Sequence, residues 1–153
     1  MRDIAQHQER IRLMMANAAA GLGRGDVSAW LDMFAEDGAM EFPFAPDGYP
    51  KQVRGKAALA AYLAGFPHRF RIDRVVTFVV HPVADPNLAI VEFSVEGTAI
   101  PTGRPYHQSY VGIITLREGK IVNYRDYWNP LTSLIALGGL DALLEFGKAG
   151  TPS

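Results

Sequence analysis

Apolar residues along the first third of the chain recur at helical spacing. Ile4, Ile11, Met14, Met15, Ala18 and Leu22 share one side of a 3.6-residue period, and Gly21, Gly23 and Gly25 then end it, which predicts a first helix. Asp26 can cap a second, whose stripe is Val27, Trp30, Leu31, Met33 and Phe34 before Asp37-Gly38 turns the chain. Residues 39–44 alternate as a short strand with Met40 and Phe42 claiming the inner face and Glu41 left to solvent, and residues 45–50, bearing Pro, Gly and Asp, read as a loop. Gly55-Lys56 opens a third helix through Ala57, Leu59, Ala60, Tyr62 and Leu63, stopping near Gly65-Phe66-Pro67.

The period then changes from helix to strand. Segments 70–81, 87–100 and 105–116 are long strand candidates bounded by turn residues, and Arg117-Glu118-Gly119-Lys120 is a hairpin turn into a fourth, 121–128. In the second of these, Val91, Phe93 and Val95 oppose Glu92, Ser94 and Glu96, so the odd-numbered set faces inward. From residue 130 the tail holds leucines at helical spacing, interrupted by Gly138-Gly139, which predicts two short helices. Helices first and antiparallel strands afterwards indicate an α+β domain with helices packed on one face of a sheet.

Segment 121–128 carries the chemistry. Alternation puts Val122, Tyr124, Asp126 and Trp128 on one face and Ile121, Asn123, Arg125 and Tyr127 on the other. Both faces are amphipathic, so periodicity leaves two readings: an inward Asp126 among aromatic rings, with a raised pKa suited to acid or base work, or an outward Asp126 that is a surface charge.

Composition narrows the possible functions. At 153 residues, 48% hydrophobic and 20% charged, the chain has the length and balance of one globular domain. A net charge of −1 without a basic block gives no groove for nucleic acid. The absence of cysteine excludes disulfides, thiolate catalysis and sulfur-ligated metals. The first residues show no signal-like apolar run and no segment reaches membrane-spanning length, so a cytoplasmic protein with no membrane partner is expected. His68, His81 and His107 lack metal-site spacing, so no metal is expected. His68 stands at the helix-to-sheet turn, where the mouth of a pocket could lie, while His107 shares strand parity with Ser109 and is expected outside. Arg71 and Asp73 are expected to form a surface ion pair.

This order of elements, with Phe34-Ala35-Glu36-Asp37-Gly38-Ala39-Met40-Glu41-Phe42-Pro43, Gly103-Arg104-Pro105-Tyr106, Glu118-Gly119-Lys120-Ile121 and Tyr124-Arg125-Asp126-Tyr127-Trp128, resembles the nuclear-transport-factor-2-like (ketosteroid isomerase-like) superfamily. Within it, the SnoaL-like cyclases, limonene epoxide hydrolase and phenazine-biosynthesis proteins look closest. The resemblance spans nearly the whole chain and implies one SnoaL-like domain over residues 1–153, with a helical tail from about 130. The implied fold is an α+β conical barrel: a curved, mostly antiparallel sheet wrapped around three N-terminal helices, enclosing an apolar pocket. It also implies a homodimer through the outer sheet face, and a pocket-facing Asp126, by match to the Arg-Asp-Tyr-aromatic motif of limonene epoxide hydrolase.

Departures from the relatives restrict the chemistry. The epoxide hydrolase's Arg-x-Asp pair is replaced by Phe93-Ser94-Val95, and its water-holding tyrosine and asparagine fall near Met40 and Phe42. Ketosteroid isomerase would have its base near Phe42, its tyrosine near Ala18 and its second acid near Val111-Gly112. Neither mechanism is expected here. The expectation is a small protein that binds a hydrophobic molecule and uses Asp126 as general acid or base without cofactor, as a cyclase, isomerase or hydratase would. Tyr110, Gln108, Tyr124, Trp128, Phe42, Phe93, Met40 and His68 are its expected ligand contacts. The alternative is a binding or dimerisation module of the same fold with no chemistry.

Overall fold

The structure, a computed structural model, describes residues 2–148. Its elements are α1 (Arg2–Gly23), α2 (Ser28–Asp32), β1 (Phe34–Glu41), β2 (Gln52–Arg54), α3 (Lys56–Ala64), α4 (Phe66–Arg69), β3 (Phe70–Val80), β4 (Leu88–Ala99), β5 (Arg104–Arg117), β6 (Lys120–Trp128), α5 (Pro130–Leu137) and α6 (Leu140–Gly147). The strands form one six-stranded sheet in the order β2-β1-β6-β5-β4-β3. Every junction is antiparallel except the parallel pairing of β1 with β6. The expected α+β architecture is present, with β3 to β6 as successive antiparallel strands.

The strand boundaries follow the turn chemistry. Glu118 and Gly119 take φ of 52° and 79°, the two positive values that a tight hairpin turn with right-handed twist requires, and Arg117 pairs with Lys120 across it. The tail breaks where its glycines stand: Gly138 ends α5 at φ 97° and Gly139 starts α6 at φ 134°. Asn129 caps α5 by accepting a 3.0 Å hydrogen bond from the Leu131 amide, with Pro130 at the first helical position.

Four sequence expectations are corrected. The second helix stops at Asp32, not Phe34, because the Met33 carbonyl accepts from the Ile121 amide at 2.8 Å, and Phe34 enters the sheet beside Ile121. Asp37-Gly38 is therefore a bulge inside β1 rather than a turn before it. The helical set ahead of the long strands is four, not three, since Phe66–Arg69 forms a single turn of its own with Pro67 at its start. In β6, Ile121 is fully buried although parity placed it outside. A register shift between Thr115 and Leu116 leaves Val122 unpaired, so Ile121 and Tyr124, three residues apart, both face the core.

Bulges also bend the sheet. β3 shifts register against β4 between Ile72 and Arg74 and again between Val75 and Thr77. Gly97 lies opposite Ile72, and a Cβ there would meet the Arg71 carbonyl oxygen at 2.0 Å, so the backbones approach as only glycine permits. The helices bury their apolar stripes in the core that the sheet shares, with Ile11, Met15 and Ala18 of α1 and Leu59 and Leu63 of α3 inside it. His7 and Gln8 tie α1 to the sheet through the carbonyls of Leu88 and Val80, at 2.7 and 2.9 Å. No single described helix is long and apolar enough to cross a membrane.

On the solvent side, Thr77 meets Ser94 at 2.7 Å, Arg74 meets Glu96 at 2.8 Å, and His107 is exposed. Arg71 and Asp73 make the expected exposed ion pair, 3.0 Å apart.

Candidate functional site

Within the sheet's inner face lies a cavity of about 90 Å³ bordered by β1, β3 to β6, α1 to α6 and the loop after β1. Among its lining residues, Val75 is exposed, which places the mouth beside β3. Apart from tyrosine hydroxyls, its polar lining consists of Asp126 and Ser133, with the Trp30 ring adding an indole.

Asp126 comes from β6 between Tyr124 and Trp128, directly opposite Gly112 of β5. Gly112 contributes no side chain, and the space a Cβ would take there is filled by the Tyr124 ring and hydroxyl. Asp126 is half-buried, and as a lining residue it faces the cavity. No hydrogen bond or ion pair reaches it among the described residues. Loss of water around an uncompensated carboxylate disfavours the charged form, and its pKa is pushed from 3.8 up to about 8. At neutral pH this acid is therefore mostly protonated.

Four tyrosines surround it in two hydroxyl pairs. Tyr106 and Tyr110, on the same face of β5, bring their hydroxyls to 2.6 Å. Tyr49, from the loop after β1, bonds Tyr62 of α3 hydroxyl to hydroxyl. Burial raises the pKa of all four, and the nearby Asp126 charge adds to each rise. Burial pushes Tyr106 up to about 12, with hydrogen bonding from Tyr110, Ser133 and Gln108 opposing the rise. All four stay protonated and act as neutral hydrogen-bonding groups near pH 7.

Packing locks these rings. Tyr110 stacks on Phe93 at 4.8 Å with 19° between planes, and Tyr106 stacks on Phe70 at 4.0 Å and 26°. Tyr49 meets Trp128 edge-on at 5.4 Å, and Phe42 sits 5.0 Å from Tyr62 and 6.4 Å from Trp128. With their ring planes held, the hydroxyls occupy set positions.

The structure brings together Asp126, Tyr110, Trp128, Phe93 and Met40 of the expected set, all of them on the cavity wall. The other four are placed elsewhere. Phe42 is 1% exposed and stands behind the wall, filling the space among Tyr49, Tyr62 and Trp128. Tyr124 is fully buried against Trp30 and Phe34 beneath the floor, its hydroxyl reaching back over Gly112, where a Cβ would lie 2.8 Å away. That hydroxyl and the Trp30 indole N–H are buried with no hydrogen-bond partner among the described residues. Gln108 is buried as a clamp: its Oε1 accepts from the Ser109 and Asn129 amides, and its Nε2 donates to the Asn129 carbonyl and the Ser133 hydroxyl. His68 is exposed on α4 and does not border the cavity.

Sequence reasoning had not placed Tyr49, Tyr62, Tyr106 or Ser133 at this site. Tyr106 shares strand parity with Gln108 and Tyr110, so its face was readable. Tyr62 lies on the apolar stripe of α3, which signals burial but not a cavity. Tyr49, in a loop, and Ser133, in a short tail helix, carry no periodic signal.

A SnoaL-like domain family model matches residues 16–124, a span that ends just before Asp126. The uncharacterised protein YesE of Bacillus subtilis is 43% identical over 114 residues, 74% of this chain and 78% of that protein. An uncharacterised PhzA/B-like protein of Pseudomonas aeruginosa is 39% identical over 121 residues, 79% and 85% of the two chains. Among solved structures, a Bacillus subtilis protein put forward as an isomerase superposes with a TM-score of 0.82 at 38% identity, over 88% of this chain and 96% of that one. One from Xanthomonas campestris put forward as a polyketide cyclase gives 0.70 at 22% identity, over 85% and 98%, a likeness of fold.

Proposed function

We propose, for a chain that belongs to the SnoaL-like domain family, that it is an enzyme which binds a small, largely apolar molecule and moves a proton with Asp126, in a reaction of the isomerase, cyclase or hydratase type. One observation carries the reading: a lone carboxyl in an aromatic cavity, unpaired and with its pKa raised to about 8. An acid that titrates near neutral pH can both give and take a proton within one turnover, which general acid–base catalysis requires. The names put to the similar isomerase and cyclase structures agree with this class of chemistry.

The test needs no substrate at its first step. The side-chain carboxyl carbon of Asp126, followed by NMR across pH, should titrate near neutrality. A midpoint near the ordinary aspartate value removes the basis of the proposal. Screening apolar carbonyl compounds for enzyme-dependent exchange of C–H for C–D in heavy water then reads the chemistry itself. Exchange should disappear in Asp126→Asn, and exchange that survives unchanged would sink the role.

A second reading, ligand binding without chemistry, is favoured by one feature: among the described residues Asp126 is the single carboxyl on the cavity wall, with no histidine or second acid beside it. General acid–base help from one group is worth typically about 10²–10⁴-fold, so catalysis here needs the neighbouring hydroxyls as well. Saturable ligand binding with no exchange in any compound tested supports this alternative.

A further inference from the structure

The cavity wall carries one acid and no counter-charge. Asp126 has no hydrogen bond or ion pair among the described residues, and burial alone moves its titration. No lysine, arginine or histidine among those residues lies on the wall. The titratable groups that face the carboxyl are all tyrosines: Tyr49 from the loop after β1, Tyr62 from α3, Tyr106 and Tyr110 from β5, and Tyr124 beneath the floor. Burial raises the pKa of each, and the Asp126 charge adds to the rise. All five are neutral near pH 7, so nothing in the protein balances Asp126 once it ionises.

The rest of the wall suits a cation. Half of the lining residues are aromatic, against 10% of the whole chain, and they include Trp30 and Trp128. Such rings attract a cation through their π-electron density, tryptophan most strongly. The hydroxyls of Tyr106 and Tyr110 meet at 2.6 Å, and those of Tyr49 and Tyr62 are also bonded to each other. Whichever hydroxyl donates within each pair, oxygen lone pairs remain to accept from N–H groups. A buried ion pair recovers its desolvation cost only where its remaining protons find acceptors, and these oxygens are acceptors on the same wall.

We propose that the ligand of this cavity is an otherwise apolar molecule carrying a protonated amino group, held as its ammonium against the Asp126 carboxylate within the aromatic wall. The inference rests on the acid–base reading of Asp126 and names the substrate class for it. An ammonium beside the carboxyl favours the charged form, so the arriving ligand itself converts Asp126 from acid to base. A neutral molecule of the same shape leaves the carboxyl protonated.

The test compares cyclopentylamine, an ammonium at pH 7, with cyclopentanol, which matches it in shape and carries no charge. Titration calorimetry at pH 7 gives dissociation constants of both for the whole protein and for Asp126→Asn, which keeps the shape of the side chain and cannot ionise. The amine should bind the unmodified protein about tenfold more tightly than the alcohol, the reverse of the order in an apolar cavity without a carboxylate. In Asp126→Asn that preference should fall about a hundredfold, the value of removing one member of a close charge pair. Repeating the titrations in buffers of different ionisation enthalpy counts protons. With its pKa at about 8, the carboxyl should release about nine-tenths of a proton per amine bound, and none on binding the alcohol. Amine binding that does not saturate, an amine affinity no better than that of the alcohol, or a preference that Asp126→Asn leaves unchanged would overturn the proposal, even where Asp126 itself titrates near neutrality. An amine preference without proton release supports the ammonium site and removes instead the raised pKa on which the acid–base reading stands, so the two failures are distinguishable.

Discussion

Replacing Asp126 by Asn should make the protein more stable, and increasingly so as the pH rises. In the folded protein the carboxyl releases its proton at about 8, whereas in the unfolded chain water solvates it and it does so near 3.8. Between these values the unfolded state holds fewer protons than the native one, so unfolding becomes easier with every unit of pH. The sign is that of a raised acid: the stability is fully present below the unfolded pKa, declines up to the folded pKa, and is level above it. The slope is about 1.4 kcal/mol per pH unit, so by pH 7 the group has removed about 4 kcal/mol relative to pH 4. Against a total stability of about 5–15 kcal/mol that is a large share. Water drawn into the cavity on ionisation would reduce it. Asn has the same shape and cannot ionise, and its buried amide adds a cost that does not vary with pH.

The assay is urea unfolding of both proteins at several pH values from about 5 to 9, taking the difference in free energy at each. Surface carboxylates whose pKa is lowered by Arg and Lys partners, such as Asp37 beside Arg117 and Glu96 beside Arg74, titrate alike in both proteins and cancel. The difference should climb at about 1.4 kcal/mol per unit up to about pH 7.5 and then flatten. Parallel curves would show that Asp126 is solvated or paired in solution, and the acid–base reading would fall with it.

Other substitutions probe the scaffold that shapes the cavity. Gly97→Ala, whose Cβ would sit 2.0 Å from the Arg71 carbonyl oxygen, should abolish soluble folded protein, as judged by circular dichroism of whatever is recovered. Gly112→Ala brings a methyl within 2.8 Å of the Tyr124 hydroxyl and should cost about 1–3 kcal/mol in chemical denaturation. Tyr124→Phe removes that hydroxyl, which has no partner, so it should be close to neutral alone and should recover part of the Gly112→Ala loss in the double variant. Asp73→Ala breaks an ion pair whose side chains are 63% and 51% exposed, and its denaturation midpoint should shift by no more than about 0.5 kcal/mol in free energy.

Much of the molecule was legible one residue at a time. Period 3.6 in the first 22 residues, period 2 in Val91-Phe93-Val95 and the positive-φ preference of Gly119 and Gly138 are local physics, and the elements they predict are present. Where a neighbouring strand captures the backbone, local rules lost. Met33 and Phe34 carry a helical stripe but are paired with β6, and Ile121 is turned inward by a bulge that no periodicity announces. One register shift moves every side chain beyond it to the other face, and hydrogen bonds to another strand set that shift.

The site divides along the same line. Strand parity determined that Tyr124, Asp126 and Trp128 share one face of their strand and that His107 lies on the face of Ser109; it left open whether Asp126 turns inward, which only the family resemblance implied. Only the tertiary structure decided that Phe42, Tyr124 and Gln108 lie behind the cavity wall rather than on it. It also decided that a loop tyrosine and a tail serine join the β5 pair around the carboxyl. Local sequence sets which face a side chain takes, because alternation is a property of one strand. The depth to which that face is buried, and hence the pKa of Asp126 and the hydrogen bonds that hold Gln108, depends on segments far apart in sequence that meet only when the sheet bends around its helices.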